Sequence, residues 1–143
     1  LIINKPSAIE QLIDVALEKE SSVLGLNRIE KSRITNYGVI SSAEISSSKN
    51  LFALDGIVEK PQENPPSDLA VFGRYILSSK IFSYLENIAP GVGGEIQLTD
   101  AIKLMLQDFP VFGYIYDGKK FDCGSKEGYV AAIAHLASNI LSE

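Results

Sequence analysis

The sequence predicts an α/β fold, a mixed sheet flanked by helices, on three observations. Short apolar runs rich in β-branched residues alternate with segments of helical periodicity along the whole chain. The first alternation, Leu1 to Leu26, reads as a β-α-β opening. The third observation is Gly56-Ile57-Val58-Glu59-Lys60-Pro61, where two apolar β-branched residues end a strand and Pro61 stops the ladder because it has no N–H to donate. Glu59 and Lys60 therefore sit where a sheet gives way to a loop. In open α/β sheets ligands bind beyond the carboxyl ends of strands, and there an ammonium suits a phosphate while a carboxylate suits sugar hydroxyls. Read alone, the hexapeptide is more simply a solvated strand end with an ordinary surface ion pair.

Composition narrows the function classes. A chain of 143 residues with 45% hydrophobic content fits one compact domain spanning 1–143, long enough to bury about two-thirds of its unfolded surface. Thirteen Lys and Arg against eighteen Asp and Glu leave a net charge of -5, the wrong sign for a general nucleic-acid or anionic-membrane binder. Phosphate chemistry, if present, must be local. No apolar run approaches the ~20 residues of a membrane helix, and the single cysteine allows no internal disulfide, in keeping with a cytoplasmic compartment.

The elements follow in order. Leu1-Ile2-Ile3 reads as the tail of an apolar strand, so a fragment is expected. Ser7 and Glu10 form a capping box opening a helix through Ile9, Leu12, Ile13, Ala16 and Leu17. Val23-Leu24-Gly25-Leu26 suits a strand buried on both faces. After a polar turn at Arg28 to Arg33, Tyr37-Gly38-Val39-Ile40 starts a new strand, and Ser41 to Asn50 is a Ser-rich surface loop. Asp55-Gly56 between apolar strand formers predicts a two-residue hairpin turn. Leu69 to Leu77 is a strand interrupted by Gly73-Arg74, the mark of a bulge or of a close approach by backbone or ligand. Ser78 or Ser79 caps a helix carrying Ile81, Phe82, Leu85 and Ile88.

Pro90-Gly91-Val92-Gly93-Gly94 leads into a helix through Leu98, Ala101, Ile102 and Met105. It is no phosphate cradle, because Glu95 stands where the P-loop pattern needs Lys. It reads as a structural turn, or as a loop offering Glu95 to a sugar or a neighbouring subunit. Tyr114-Ile115-Tyr116 closes a strand, Asp117-Gly118 turns, and Ser125 caps a last helix with the stripe Val130, Ile133, Leu136, Ala137, Ile140 and Leu141. Asp122 lies beside that helix's N-terminus, where a carboxylate serves as a cap neighbour or as a Mg²⁺ ligand. His135 falls opposite the stripe and reads as solvated, and Cys123 as a small buried residue, so the two are not taken as a nucleophile–base pair.

Five blocks together carry a resemblance: Tyr37-Gly38-Val39-Ile40; Gly56 to Pro61; Gly73-Arg74-Tyr75-Ile76-Leu77; Gly94-Glu95-Ile96-Gln97-Leu98-Thr99-Asp100-Ala101-Ile102; and Asp122-Cys123-Gly124-Ser125-Lys126-Glu127-Gly128-Tyr129. In this order they resemble the bacterial UTP–glucose-1-phosphate uridylyltransferases, the UDP-glucose pyrophosphorylases. The resemblance implies a Rossmann-like sugar-nucleotidyltransferase fold, with in-line attack of glucose 1-phosphate on the α-phosphorus of UTP in the presence of Mg²⁺. It implies that Lys60 binds the sugar phosphate, that Glu59 and the backbone near Gly38 hold sugar hydroxyls, that Asp122 is one of two metal carboxylates, and that Gly124 lets the backbone approach the substrate.

Nothing in the chain resembles the family's Gly-rich triphosphate loop or its second metal carboxylate. The chain therefore resembles the C-terminal, sugar-binding part without the N-terminal nucleotide-binding half, and is expected to be inactive alone. The resemblance further implies a parent enzyme that is a homo-oligomer. The alternative is a non-catalytic sugar-phosphate-binding or assembly module derived from the same fold.

Overall fold

The computed structural model describes residues 2–44, 49–91 and 94–140, which fall into two compact units. The larger, Ile9–Tyr116, is built around β2 (Ser22–Arg28), whose Val23, Leu24 and Leu26 are wholly buried. Such burial on both faces is what a continuous apolar strand requires. β2 runs parallel to β6 (Val111–Ile115) and antiparallel to β5 (Leu69–Ile76). β3 (Gly38–Glu44) and β4 (Leu51–Glu59) pair antiparallel along their length, and the start of β4 pairs antiparallel with β6. A single bridge, Val39 to Ala70, closes the order β2-β5-β3-β4-β6 upon itself. The result is a mixed sheet, as the sequence predicts.

Helices cover this sheet. α1 (Ala8–Lys19) starts directly after Ser7 and buries Leu12 completely, while Ile9, Ile13 and Leu17 stay exposed. A short 3₁₀ helix, Lys31–Asn36, forms the polar turn before β3. α2 (Ile81–Leu85) follows Ser78, whose carbonyl accepts from the Ile81 N–H at 3.0 Å. In α3 (Leu98–Met105) the apolar positions recur at three- and four-residue intervals, so one face delivers Ala101, Ile102 and Met105 to the core. They meet Ile81 and sheet residues such as Leu24, Phe52 and Ile57. Each buried aliphatic of this size stabilises by at most about 1.5–3 kcal/mol.

Two departures from the expected ladder have a physical cause. Asp55-Gly56 is not a hairpin turn, because β4 runs straight through it. The type I′ turn needs φ > 0 at both central residues, and neither Asp55 nor Gly56 has it. Ser41 pairs with Gly56 and Ser42 with Leu54, so Asp55 is the extra residue of a bulge. The hairpin connection between β3 and β4 falls instead in the Ser-rich stretch, whose residues 45–48 lie outside the described residues. In β5, Leu26 pairs with Val71 and Leu24 with Tyr75, so Phe72, Gly73 and Arg74 face Gly25 alone. Gly73 and Arg74 take φ of +71° and +63° there, which makes the interruption a bulge.

The smaller unit comprises Leu1–Ala8 and Asp117–Glu143. β1 (Ile2–Ile3) pairs antiparallel with β7 (Lys119–Lys120) rather than with β2, so the expected β-α-β opening is not what the ladder forms. α4 (Lys126–Ile140) starts where Ser125 caps it, its Oγ accepting from the Gly128 N–H at 3.1 Å. The predicted stripe is not buried: Val130, Ile133 and Leu136 are exposed, and Ala132 is buried instead. Periodicity locates an apolar face but does not supply what covers it. Leu141 lies outside the described residues.

Candidate functional site

In the larger unit the first residue of β3 and the last of β4 are cross-strand partners, Gly38 opposite Glu59. One further backbone bond, Lys60 N–H to the Tyr37 carbonyl at 3.1 Å, extends the ladder before Pro61 ends it. Lys60 then takes φ +43°, left-handed backbone that a β-carbon disfavours. Strain of this kind gathers at functional sites when the surroundings enforce it. The Glu59 side chain is 19% exposed and Lys60 54%, with Lys60 Nζ 3.6 Å from Glu59 Oε1. A mostly buried carboxylate thus faces a largely solvated ammonium, which is more than a pair lying flat on the surface.

Gly38 is the gap in this corner. A β-carbon there would stand 3.2 Å from Glu59 Oε2 and 3.2 Å from the Thr99 methyl. The Thr99 hydroxyl, on the same carbon as that methyl, is buried and has no hydrogen-bond partner among the described residues. Tyr75 comes in from β5, and burial, then the negative charge of Glu59, push its phenol above the ordinary value. Gly38 and Glu59 so form a polar corner of backbone and carboxylate, with the Thr99 methyl against it and the Lys60 ammonium at its rim. Thr99 and Tyr75 lie within the blocks that carry the resemblance, but no spacing rule singles them out.

Gly91 N–H donates to the Glu95 carbonyl at 2.9 Å and Gly94 N–H to the Gly91 carbonyl at 3.0 Å. Val92 and Gly93 lie outside the described residues.

In the smaller unit Asp122 is exposed, and its Oδ1 accepts from the Gly124 N–H at 3.1 Å. Its carbonyl accepts from the Ser125 N–H and hydroxyl. A β-carbon at Gly128 would collide with that carbonyl, so the first turn of α4 needs glycine to sit so close to Asp122. No group of three or more His, Cys, Asp or Glu assembles among the described residues. Mg²⁺ does not require one, since it takes one or two carboxylates with substrate phosphates and water. The hard, solvent-facing carboxylate of Asp122 fits that habit.

Two expectations are corrected here. Cys123 is exposed, because its strand-to-helix turn carries it outward. His135 is half-buried: its ring packs on Phe121 with centroids 5.4 Å apart, and Nδ1 lies 3.3 Å from Lys119 Nζ. The helical wheel placed it away from the stripe correctly but knew nothing of β7 and the residue after it.

No helix among the described residues is long and apolar enough to cross a membrane. The chain is 38% identical over 135 residues to the UTP–glucose-1-phosphate uridylyltransferase of Pseudomonas aeruginosa, covering 94% of this chain and 48% of that protein. To the enzyme of the same name from Staphylococcus haemolyticus it is 41% identical over 138 residues, covering 96% and 47%. The fold matches the crystal structure of a UDP-glucose pyrophosphorylase complexed with UDP-glucose, with a TM-score of 0.90 at 34% identity over 97% of this chain and 53% of that one. A UTP-bound enzyme from Acinetobacter baumannii matches with a TM-score of 0.80 over 95% and 47%. The chain therefore spans about half the length of the relatives it matches. The sequence model of the nucleotidyl transferase family matches residues 1–139, and with the mixed sheet and flanking helices of the UDP-glucose pyrophosphorylase structures, the chain belongs to that family.

Proposed function

We propose that this chain is the sugar-phosphate-binding portion of a nucleotidyltransferase domain that forms UDP-glucose and pyrophosphate from UTP and glucose 1-phosphate. The observation that carries the reading is the polar corner at Gly38 and Glu59 with Lys60 at its rim. Its supports are the relatives that bear this activity in their names and the bound UDP-glucose of one matching structure.

Each unit has its own part. In the larger, the Lys60 ammonium leaves Glu59 for the phosphate of glucose 1-phosphate, a charge-assisted bond in place of a 3.6 Å contact. Glu59 accepts from sugar hydroxyls, and the bare backbone at Gly38 lets the pyranose approach to where a side chain would otherwise stand. In the smaller unit, Gly124 presents backbone to the substrate and Asp122 would hold Mg²⁺, which when bound offsets the charge that develops on phosphate oxygens.

The chemistry is a displacement: an oxygen of the sugar phosphate forms a bond to the α-phosphorus of UTP as the bond to pyrophosphate breaks. The residues of this chain take no covalent part. They fix the attacking phosphate and match its charge, which is how phosphoryl transfer is catalysed elsewhere.

The test is a calorimetric titration of the chain with glucose 1-phosphate. Lys60→Ala should lose roughly 10- to 150-fold in affinity, the worth of a hydrogen bond to a charged group. An affinity within about threefold of the parent, below the tenfold that ~1.4 kcal/mol represents, would reject Lys60 as the phosphate ligand. Binding without any turnover after the other half of the fold is supplied would favour the non-catalytic module.

A further inference from the structure

Lys60 stands in a conformation it would not choose. Its φ is +43°, although it carries a β-carbon and precedes Pro61. Clashes with the proline ring push the residue before proline toward extended backbone. Left to itself, Lys60 would relax to an extended conformation and swing its ammonium away from Glu59. Two hydrogen bonds flank this residue: its N–H donates to the Tyr37 carbonyl at 3.1 Å, and its own carbonyl accepts from Gln62 Nε2 at 2.9 Å. The first belongs to the ladder and survives in either conformation, because it fixes the nitrogen and leaves the carbonyl free to turn. Only the second reports on where the Lys60 carbonyl points. Pro61 between them is buried, so the pivot is anchored.

We propose that Gln62 is a positioning residue: its side-chain amide holds Lys60 in left-handed backbone and so aims the ammonium at the sugar phosphate. The inference rests on the reading of Lys60 given above. Gln62 is exposed and touches no substrate in this scheme; it acts through Lys60 alone. One exposed hydrogen bond and the cost of one left-handed residue are of the same order, so its loss shifts the population of the competent conformer rather than the fold.

The experiment uses the parent chain, Gln62→Met and Lys60→Ala. Methionine keeps the length of glutamine and removes the donor. NMR reads the intraresidue HN–Hα cross-peak of Lys60, which is strong at positive φ and weak in extended backbone. Titrations with glucose 1-phosphate and with glucose separate phosphate recognition from sugar recognition. Gln62→Met should weaken the cross-peak and lower the affinity for glucose 1-phosphate roughly three- to tenfold, with the affinity for glucose unchanged. An unaltered cross-peak, or equal losses for both ligands, would overturn the proposal. If Lys60→Ala loses affinity and Gln62→Met does not, only the positioning role falls; if Lys60→Ala is silent, the phosphate reading of Lys60 falls with it.

Discussion

A buried hydroxyl with no partner costs about 1–3 kcal/mol, and among the described residues the Thr99 hydroxyl is in that position. Thr99→Val keeps the shape and removes the orphan, so the variant should unfold at the same temperature or higher. If the hydroxyl waits for a sugar, the same change should weaken glucose 1-phosphate binding roughly 2- to 10-fold. Unchanged affinity in the stabilised variant would leave Thr99 as packing only. Tyr116 makes a second test. Burial raises its phenol from 10.0 to about 12, with the Arg74 charge pulling the other way. Below the unfolded value both states keep the proton; between the two values only the unfolded chain loses it. Stability should therefore fall as pH rises through that window, by on the order of 2–3 kcal/mol, and then level off. Urea unfolding across the window should show a steeper slope in the parent than in Tyr116→Phe, where the raised Tyr75 phenol still titrates. That Glu59 and Lys60 stand at a strand end was legible in Glu59-Lys60-Pro61, because strand end and proline are both local signals. The left-handed turn of Lys60, φ +43°, was not, since a residue before proline is expected in extended backbone.

At the scale of elements the two bulges explain where sequence reading succeeds and stops. Gly73-Arg74 was legible as an interruption, because glycine inside an apolar run has few other uses. Asp55-Gly56 was misread, since a dipeptide cannot show whether the chain reverses or runs on through a bulge; the pairing of Ser41 and Ser42 decides that. The β5 bulge also dictates Gly25. A β-carbon there would lie 2.6 Å from the Gly73 carbonyl oxygen and 2.8 Å from the Tyr116 ring. Gly25→Ala must displace backbone and should cost about 1–3 kcal/mol. At Gly73 a β-carbon meets nothing within 4 Å, but φ is +71°, so Gly73→Ala should cost only the strain, about 1 kcal/mol. Chemical denaturation of both variants checks the order. A larger loss at Gly73 than at Gly25 would mean that the bulge does not press on β2 as described.

At the scale of the molecule, a net charge of -5 repels phosphates at long range, so the proposed recognition of glucose 1-phosphate would rest on a few placed groups. This makes the whole reaction testable by parts. The chain spans about half the length of its relatives, and its resemblance places the triphosphate-binding residues in the other half. The 143-residue chain by itself should therefore form no UDP-glucose from UTP and glucose 1-phosphate. Mixed with the separately produced N-terminal half of the Pseudomonas aeruginosa relative, it should regain turnover by complementation. Asp122→Asn in this mixture separates the readings of that residue. An amide has nearly the size of the carboxylate without its charge, so loss of a Mg²⁺ ligand should cut kcat strongly while the fold persists. A residue that only steadies the start of α4 should instead cost about 1 kcal/mol of stability and leave the rate alone. Coupled-assay kinetics across a Mg²⁺ series, with circular dichroism to confirm folding, measure both. Turnover by the isolated chain would sink the division of labour between the halves, and a normal Mg²⁺ dependence in the folded Asp122→Asn mixture would remove the metal from Asp122.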